Sequence, residues 1–334
     1  MSSTSLRSGF FCLTLGLLLN PPAVANASTS GVLVMAHGGT AEWNAAIQEA
    51  AAPLKKYCPT VVAFGMADPE TLQESVRELE SRGVTRIVVT RLFVSGESFR
   101  EQTEYLLGLR PDPPEYFLLH HNPGSMSSGH DTDRPRPHDM LYPSESHPID
   151  PIQTTSSFVL THNGLYDSPE IGKIVAERVG DLSRTPESES VLVLAHGVGD
   201  DRLNSHWVDR IEQISGAIRQ IGSFQDIRVE TLREDWQDKR KLAEERIRDF
   251  VVQGDRNGKV LVVPFRVYGF GPYESVLDGL SYRSDGRGLL PHPSVTEWLM
   301  KEASRCFQQQ GWHNPFQKMS RQPGPSSFPA RQHF

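Results

Sequence analysis

The sequence predicts an α/β protein of two similar domains, each a doubly wound parallel sheet, that arose by internal duplication. The stretch VLVMAHG at 32–38 returns as VLVLAHG at 191–197. Both stretches are continuous apolar runs, which are typical of strands buried on both faces of a parallel sheet. In each half a helix, a strand, a helix and a further apolar strand follow in the same order, RIVVTRLFV in the first half and KVLVVPFRV in the second, as a duplication predicts.

The first half alternates apolar runs with segments of helical periodicity. In the first helix, Trp43, Ile47 and Leu54 fall on one face. Pro69 near the first turn and Gly83 just past the last turn are the expected ends of the second helix. The sequence therefore predicts strands at 32–35, 60–64, 86–94, 116–119 and 157–161, and helices at 43–54, 69–82, 99–107 and 169–182.

The second half repeats this pattern from residue 191 onward. After the second His-Gly strand, the sequence predicts helices at 203–221 and 236–252 and strands at 227–232 and 259–265. A last helix follows His292 and ends near residue 308. The first domain is therefore predicted to span residues 28–184 and the second residues 185–313.

Two segments differ from the rest in composition. Residues 122–155 are rich in Pro, Ser, Asp and His without periodicity, and we expect a disordered insertion there. Its histidines either bind metal or are scattered along a soluble tether. The tail at 314–334 is also expected to be disordered.

The N-terminal 27 residues have the pattern of a secretory signal peptide. Arg7 precedes an apolar run at 10–19, and Ala25-Asn26-Ala27 forms a cleavage site of the A-x-A type. The run is too short for a membrane anchor, and no later apolar run reaches the ~18 residues of a membrane span. We therefore expect an exported protein, periplasmic or secreted. Its two remaining cysteines fall near helix ends in different halves, which does not favour a disulfide.

Composition excludes one class of partner. The chain of 334 residues carries a formal net charge of −7, so it lacks the basic surface of a nucleic-acid binder. With 37% hydrophobic and 22% charged residues, most of it is expected to be globular, with enough length for one or two sizeable domains.

His37 and His196 are the leading candidate site residues, because each ends a buried strand. In open α/β sheets, ligands bind beyond the carboxyl ends of the strands. The positive end of the following helix disfavours imidazolium, and a neutral imidazole suits a metal ligand or a general base. The same pattern also fits a histidine that only hydrogen-bonds a loop carbonyl, with the glycines serving the turn.

Several segments resemble the class II tetrapyrrole chelatases, the sirohydrochlorin cobaltochelatases and ferrochelatases of cobalamin and sirohaem synthesis. They are the two strands ending in His-Gly, the LFVSG segment at 92–96 with Arg100-Glu101, and LPHP at 290–293. The resemblance covers residues 31–120 and 157–308. It implies a chelatase-like fold and a lyase that inserts Co²⁺ or Fe²⁺, with Ni²⁺ as a further candidate, into a tetrapyrrole such as sirohydrochlorin, without an organic cofactor.

The resemblance also assigns roles to residues. In that family a first-strand histidine and a second histidine after the third strand bind the metal and help to remove pyrrole protons. The first corresponds to His37 and, through the repeat, to His196, which become the expected catalytic and metal-binding residues. The second has no counterpart, because its place falls at about Ser98 in the first half and near Pro272 in the second.

Other charged residues near the strand ends could complete the site. Glu97 and Glu101 flank the place of the missing histidine, and a carboxylate can share a Co²⁺ or Fe²⁺ site with imidazole; Glu274 is the counterpart in the second half. Each could equally be a solvent-facing glutamate. Arginines could bind the carboxylates of the macrocycle or form ordinary surface ion pairs; the candidates are Arg91, Arg100 and Arg266.

Three functional hypotheses follow. The first is a chelatase with a macrocycle between the halves and His37 or His196 on the metal. The second is an exported metal- or tetrapyrrole-binding protein without catalysis, which fits the missing second histidine. The third is a His-Gly phosphatase, which we rank last because such enzymes usually have an arginine before the histidine, where this chain has Ala36 and Ala195.

Overall fold

A computed structural model of the protein describes residues 29–114 and 150–317. It contains two parallel sheets, one per half, which confirms the predicted fold class. The first sheet has the strand order β2-β1-β3-β4 and the second the order β6-β5-β7. The strands are β1 (Thr29–Ala36), β2 (Thr60–Phe64), β3 (Val84–Leu92), β4 (Ser157–Leu160), β5 (Glu189–Ala195), β6 (Asp226–Thr231) and β7 (Lys259–Phe265).

The helices alternate with the strands as the sequence predicts. Polar side chains define where three of them begin, because each accepts the N–H of the residue three positions on: Thr40 for α1 (3.3 Å), Asp68 for α2 (2.8 Å) and Asp200 for α5 (2.8 Å). The helices are α1 (Ala41–Ala51), α2 (Pro69–Ser81), α3 (Arg100–Leu106), α4 (Pro169–Leu182), α5 (Asp201–Ser215), α6 (Gln237–Asn257), α7 (Tyr273–Val276) and α8 (Pro293–Gln309).

The two sheets have equivalent centres. Ala36 at the end of β1 lies opposite Phe64 and Leu92, and Ala195 at the end of β5 lies opposite Thr231 and Phe265. Each central strand is buried along nearly its whole length. The histidine that follows each strand therefore stands at the carboxyl edge of its sheet, next to the loops after the neighbouring strands.

The two halves exchange their last helices. Helix α4, which was expected to complete the first half, packs against α5 and β7 of the second. Helix α8, at the end of the chain, packs against α1 and β3 of the first, and the Thr296 hydroxyl donates to the Ala50 carbonyl at 2.8 Å. One apolar cluster, which we call the central cluster, joins the inner faces of both sheets to α1, α4, α5 and α8. The division of the chain near residue 184 stays a prediction.

Two stretches inside the segments that we expected to be disordered, residues 150–155 and 314–317, are ordered. The segment 150–156 lies along α2, where Thr154 and Ser156 donate to Glu80. Asn314 and Phe316, expected in a disordered tail, are buried because Phe316 packs against Phe307. The expected signal peptide, the strand at 116–119, most of the insertion and the tail beyond 317 lie outside the described residues.

Two further expectations concern the cysteines and the membrane. Cys58 and Cys306 are buried free thiols, and burial raises the pKa of each to about 11.

In the part of the chain that the structure describes, no helix combines the length and apolarity that crossing a bilayer requires.

Candidate functional site

The two strand-end histidines share one local geometry. Nδ1 of His37 lies 2.7 Å from the Gly38 carbonyl oxygen, and Nδ1 of His196 lies 2.8 Å from that of Gly197. Both glycines have a φ of 78°, a left-handed conformation that glycine adopts without strain. A neutral ring that donates its Nδ1 proton to the carbonyl leaves the lone pair on Nε2. The hydrogen bond from the histidine to a loop carbonyl, which was one of the two interpretations of the sequence, is thus present in both halves. It requires a proton on Nδ1.

His196 lies beside two carboxylates that the sequence analysis did not single out. Its Nε2 is 3.3 Å from Oδ2 of Asp235 and 3.8 Å from Oε2 of Glu234. Burial lowers the pKa of His196, but the hydrogen bond to Asp235 and the charge of Glu234 outweigh burial and raise the pKa above 6.5. The surroundings of His196 therefore favour the imidazolium form more than water does.

Glu234 also binds Arg266, at the end of β7. One guanidinium nitrogen of Arg266 donates to Oε1 of Glu234, and both side chains are largely buried. The guanidinium carbon lies 5.6 Å from the centre of the Tyr273 ring. The loop after β6 and the end of β7 thus form a charged wall beside His196, in which the Arg266 charge is already paired.

His37 has a different environment. Its ring stacks on Trp43, with centroids 5.5 Å apart and planes 15° apart, and Trp43 in turn stacks on Tyr268 at 6.3 Å. Burial is the main cause that lowers the pKa of His37, the Gly38 carbonyl partly opposes it, and the positive charges of Arg266 and His196 lower the pKa further. His37 therefore favours the neutral form.

The two histidines consequently belong to one site with two chemical characters. Residues of the second half act on His37 of the first half. Tyr268 acts by stacking on Trp43, which in turn stacks on His37. Arg266, His196 and Asp235 act through their charges. The pKa values of the two histidines are displaced in opposite directions. Such a pair can divide the work of proton acceptor and proton-bearing group.

The glutamates predicted from the first half are engaged elsewhere. Glu97 pairs with Arg100 at 2.9 Å, and Glu101 pairs with Arg110 at 3.0 Å. Arg100 also approaches Glu104, with 3.7 Å between the charged atoms. These ion pairs surround α3, and each of the two glutamates has more than half of its side chain exposed. Glu274, on α7, is exposed as well.

Arg91 is enclosed within the first half. It is 1% exposed, and its guanidinium donates to the carbonyl oxygens of Thr161, Ser98 and Gly96. Burial and the neighbouring charge of Arg100 lower the pKa of Arg91 to about 10. An enclosed guanidinium does not reach a bound macrocycle, so of the three predicted arginines the structure brings only Arg266 to the histidines.

No preformed metal cage is present among residues 29–114 and 150–317: no three His, Cys, Asp or Glu side chains there are grouped to hold a metal ion. His292 instead begins α8, where its Nδ1 accepts the Ser294 N–H at 3.1 Å and its Nε2 lies 2.9 Å from Glu177. What the described site offers a metal is Nε2 of His37, because the carboxylates beside His196 are engaged with His196 and Arg266.

The structure is an α/β protein of two parallel sheets with a histidine at the end of each central strand, and its fold is similar to that of known chelatases. The comparison with solved structures identifies SirB of Bacillus subtilis, determined with Fe³⁺, at a TM-score of 0.56 and 12% identity, covering 85% of this chain and 98% of SirB. The sirohydrochlorin chelatase SirB of Bacillus subtilis subspecies spizizenii, in complex with cobalt, gives a TM-score of 0.51 at 12% identity, covering 85% and 97%. At this identity the likeness concerns the fold alone.

A third structure, the multi-domain DR2241 of Deinococcus radiodurans, is described as structurally similar to chelatases. It matches at a TM-score of 0.47 and 14% identity, covering 83% of this chain. This chain spans 55% of DR2241, which has two additional domains. The sequence matches no protein-family model and no curated protein.

Proposed function

We propose that the protein is a chelatase that inserts a divalent metal ion into a tetrapyrrole between its two halves. One observation carries the proposal: His37 and His196, one from each half, lie in a common electrostatic environment with pKa values displaced in opposite directions. A chelatase must bind a metal cation and accept protons from pyrrole nitrogens. The neutral imidazole of His37 can do both.

The proposed reaction replaces two pyrrole protons by one divalent cation, so that two protons are released for each metal inserted. Nε2 of His37 holds the incoming metal or accepts a pyrrole proton and passes it to solvent. The macrocycle nitrogens provide the remaining metal donors, so the protein needs no complete cage of its own. The positive charge of His196, favoured by Asp235 and Glu234, helps to keep His37 in the neutral form that accepts a metal ion or a proton.

Two observations support the choice of metal and setting. The SirB structures with a similar fold were determined with Fe³⁺ and with cobalt, which fits the expected use of Co²⁺ or Fe²⁺ as substrate. The proposal includes export, because residues 1–27 have the pattern of a signal peptide. No organic cofactor is required for the exchange of protons and metal.

A second candidate is an exported protein that binds a metal or tetrapyrrole without inserting one. The observation that favours it is the loop at 95–98, where the family resemblance places the second histidine. The loop has Ser98 there, and the Ser98 and Gly96 carbonyls accept hydrogen bonds from the enclosed Arg91. A loop committed to a buried guanidinium does not supply a second proton acceptor.

Metal insertion by the purified chain without residues 1–27 separates the two candidates. Sirohydrochlorin and Co²⁺ are mixed with the protein, and the absorbance change of the macrocycle gives the rate. For a chelatase, His37→Ala lowers the rate by roughly a hundredfold or more, the range that general base catalysis contributes. His196→Ala removes a positive charge that lowers the pKa of His37, so the rate should fall off at a higher pH than in the wild type. His206 is exposed on α5, and His206→Ala leaves the rate unchanged. Binding of metal or macrocycle without turnover would instead establish the second candidate.

A further inference from the structure

Each strand-end histidine has its own glycine and tryptophan, packed against each other. A methyl group on Gly39 would overlap Cε3 of Trp43, and one on Gly199 would overlap Nε1 of Trp236. Neither glycine has a positive φ, so the turn does not require them. What each position requires is the absence of a side chain, which lets an indole lie directly on the loop that follows the histidine.

The two indoles meet their histidines differently. Trp43 lies in the first turn of α1 and stacks on His37 with an angle of 15° between the planes. Trp236 ends the loop before α6 and stands edge-on to His196, with centroids 6.3 Å apart and an angle of 86°. The two histidines thus receive their aromatic neighbours from different elements, so duplication alone does not account for the two contacts.

The asymmetry can be traced to one position of the repeat. Asn44 in α1 accepts the N–H of Gly39 at 2.9 Å, and Asn204 in α5 accepts that of Val198 at 3.2 Å. These asparagines are therefore equivalent, and the residues before them, Trp43 and Leu203, occupy the same place. Leu203 is 47% exposed, so only the first half uses this place to pack against its histidine.

Trp43 also connects His37 to the other half of the molecule. Its second aromatic contact is Tyr268, with planes 25° apart, in the segment after β7. Tyr268 is held there by a backbone bridge to Leu290. The three rings form a continuous stack from the first half to the second, so the orientation of His37 depends on residues of both.

We propose that Trp43 is a positioning residue that fixes the plane of the His37 ring. A single hydrogen bond from Nδ1 to the Gly38 carbonyl leaves an imidazole free to tilt about that bond, and stacking on a large rigid ring removes the freedom. Nε2 is then held in one direction for a metal ion or a pyrrole proton. The consequence for metal capture rests on the proposed function, whereas the order of the ring does not.

The test removes the stacking in two ways. Trp43→Leu gives the first half the leucine that the second half has at the equivalent position, Leu203. Gly39→Ala keeps the indole of Trp43 but displaces it from the loop after His37. Nitrogen-15 NMR of the metal-free protein then gives the tautomer and mobility of each histidine. We expect the Nδ1–H tautomer in all variants, because the Gly38 carbonyl sets it. The His37 signals should be narrow in the wild type and in Trp43→Phe, and broadened by ring motion in Trp43→Leu and Gly39→Ala.

The controls use the other glycines. Gly199→Ala should disturb His196 and leave His37 unchanged, while Gly216→Ala, where an added methyl group meets nothing within 4 Å, should disturb neither. Unchanged His196 signals in the two test variants show that they are folded. Unchanged His37 signals in both folded test variants would overturn the proposal.

A second readout separates this inference from the proposed function. Titration with Co²⁺ should show an affinity about tenfold lower in Trp43→Leu and Gly39→Ala, the scale typical of lost support around a metal ligand, with recovery in Trp43→Phe. If the wild type binds no Co²⁺ but the His37 signals change as expected, the positioning role stands and the proposed metal chemistry fails. If Co²⁺ binds and the His37 signals do not change, the positioning role fails alone.

Discussion

At the scale of residues, the two histidines of the site have the same local loop but different surroundings. His37 lies against aromatic rings and near positive charge, whereas His196 lies against Asp235 and Glu234. In the first half, the loop after β2 has no such pair of acids. Its one carboxylate, Asp68, is buried and accepts the Thr71 N–H at the start of α2. The duplicated scaffold therefore carries a different charge in each half.

Removing the charge of Asp235 should lower the pKa of His196. Asp235→Asn takes away the hydrogen-bonding carboxylate that most strongly opposes burial. Because the folded-state pKa of His196 lies above its unfolded value of 6.5, the pair stabilises the fold fully below that pH, and this contribution is lost as the pH rises through the folded-state pKa. NMR titration of His196 gives the pKa, and urea unfolding across the histidine titration range, about pH 5 to 8, gives the stability.

Asp238→Asn, on the exposed first turn of α6, serves as the control for that prediction. It removes the same charge from a position where solvent screens it. A His196 pKa that moves equally in the two variants, or stays in place in Asp235→Asn, would show that the Asp235 contact does not set it.

At this scale the sequence predicts which residues lie at a strand end, but not the direction in which each side chain points. The rule that ligands bind at strand ends places His37, His196 and Arg266 at one edge, and the structure brings them together. It does not reveal that Arg91, one residue before the end of β3, turns inward to backbone carbonyls. Glu234 and Asp235 lie in the loop that follows the predicted strand at 227–232 and satisfy the same rule. They were missed because the repeat offered no counterpart in the first half.

At the scale of elements, the exchange of α4 and α8 depends on close helix contacts. Gly172 lies in α4, where a methyl group would overlap the Ile214 carbonyl oxygen of α5. This contact brings a helix from the first half of the chain against a helix of the second. Local periodicity predicted both helices, but periodicity carries no information on which sheet a helix covers, so the exchange was not predicted.

Gly172→Ala is expected to destabilise the protein by about 1–3 kcal/mol, because overpacking must move one helix away from the other. Gly180→Ala in the same helix is the matched control, since its added methyl group would lie 3.7 Å from Ile221. That change should stabilise the helix by about 0.5–1 kcal/mol. Urea unfolding measures both, and equal effects would contradict the close contact between α4 and α5.

At the scale of the whole molecule, the two sheets share one interior. The central cluster contains Val34 of the first sheet, Val193 of the second and Trp298 of α8. The outer faces carry separate clusters, one on each sheet. The duplication and the two sheets could be predicted from the repeated strands, whereas the common interior could not, because it follows from the exchange of helices.

Trp298→Ala is expected to lower the free energy of unfolding by about 3–5 kcal/mol, as typical for a large buried aromatic residue; Trp298 is 1% exposed. The loss should appear in both halves together. Backbone NMR signals from β1 and from β5 followed during urea unfolding should disappear at one common, lowered midpoint. Two separate midpoints, with only one shifted, would show that the halves are independent.

The position of α8 also has a consequence for the newly made chain. The sheet that contains His37 is covered on its inner face by a helix that ends at Gln309, roughly 200 residues after β3. At ribosomal speeds of about 5–20 residues per second, that interval lasts roughly 10 to 40 s. During this interval the apolar inner face of the nascent first sheet lacks α8, and exposed apolar surface of this kind favours capture by chaperones.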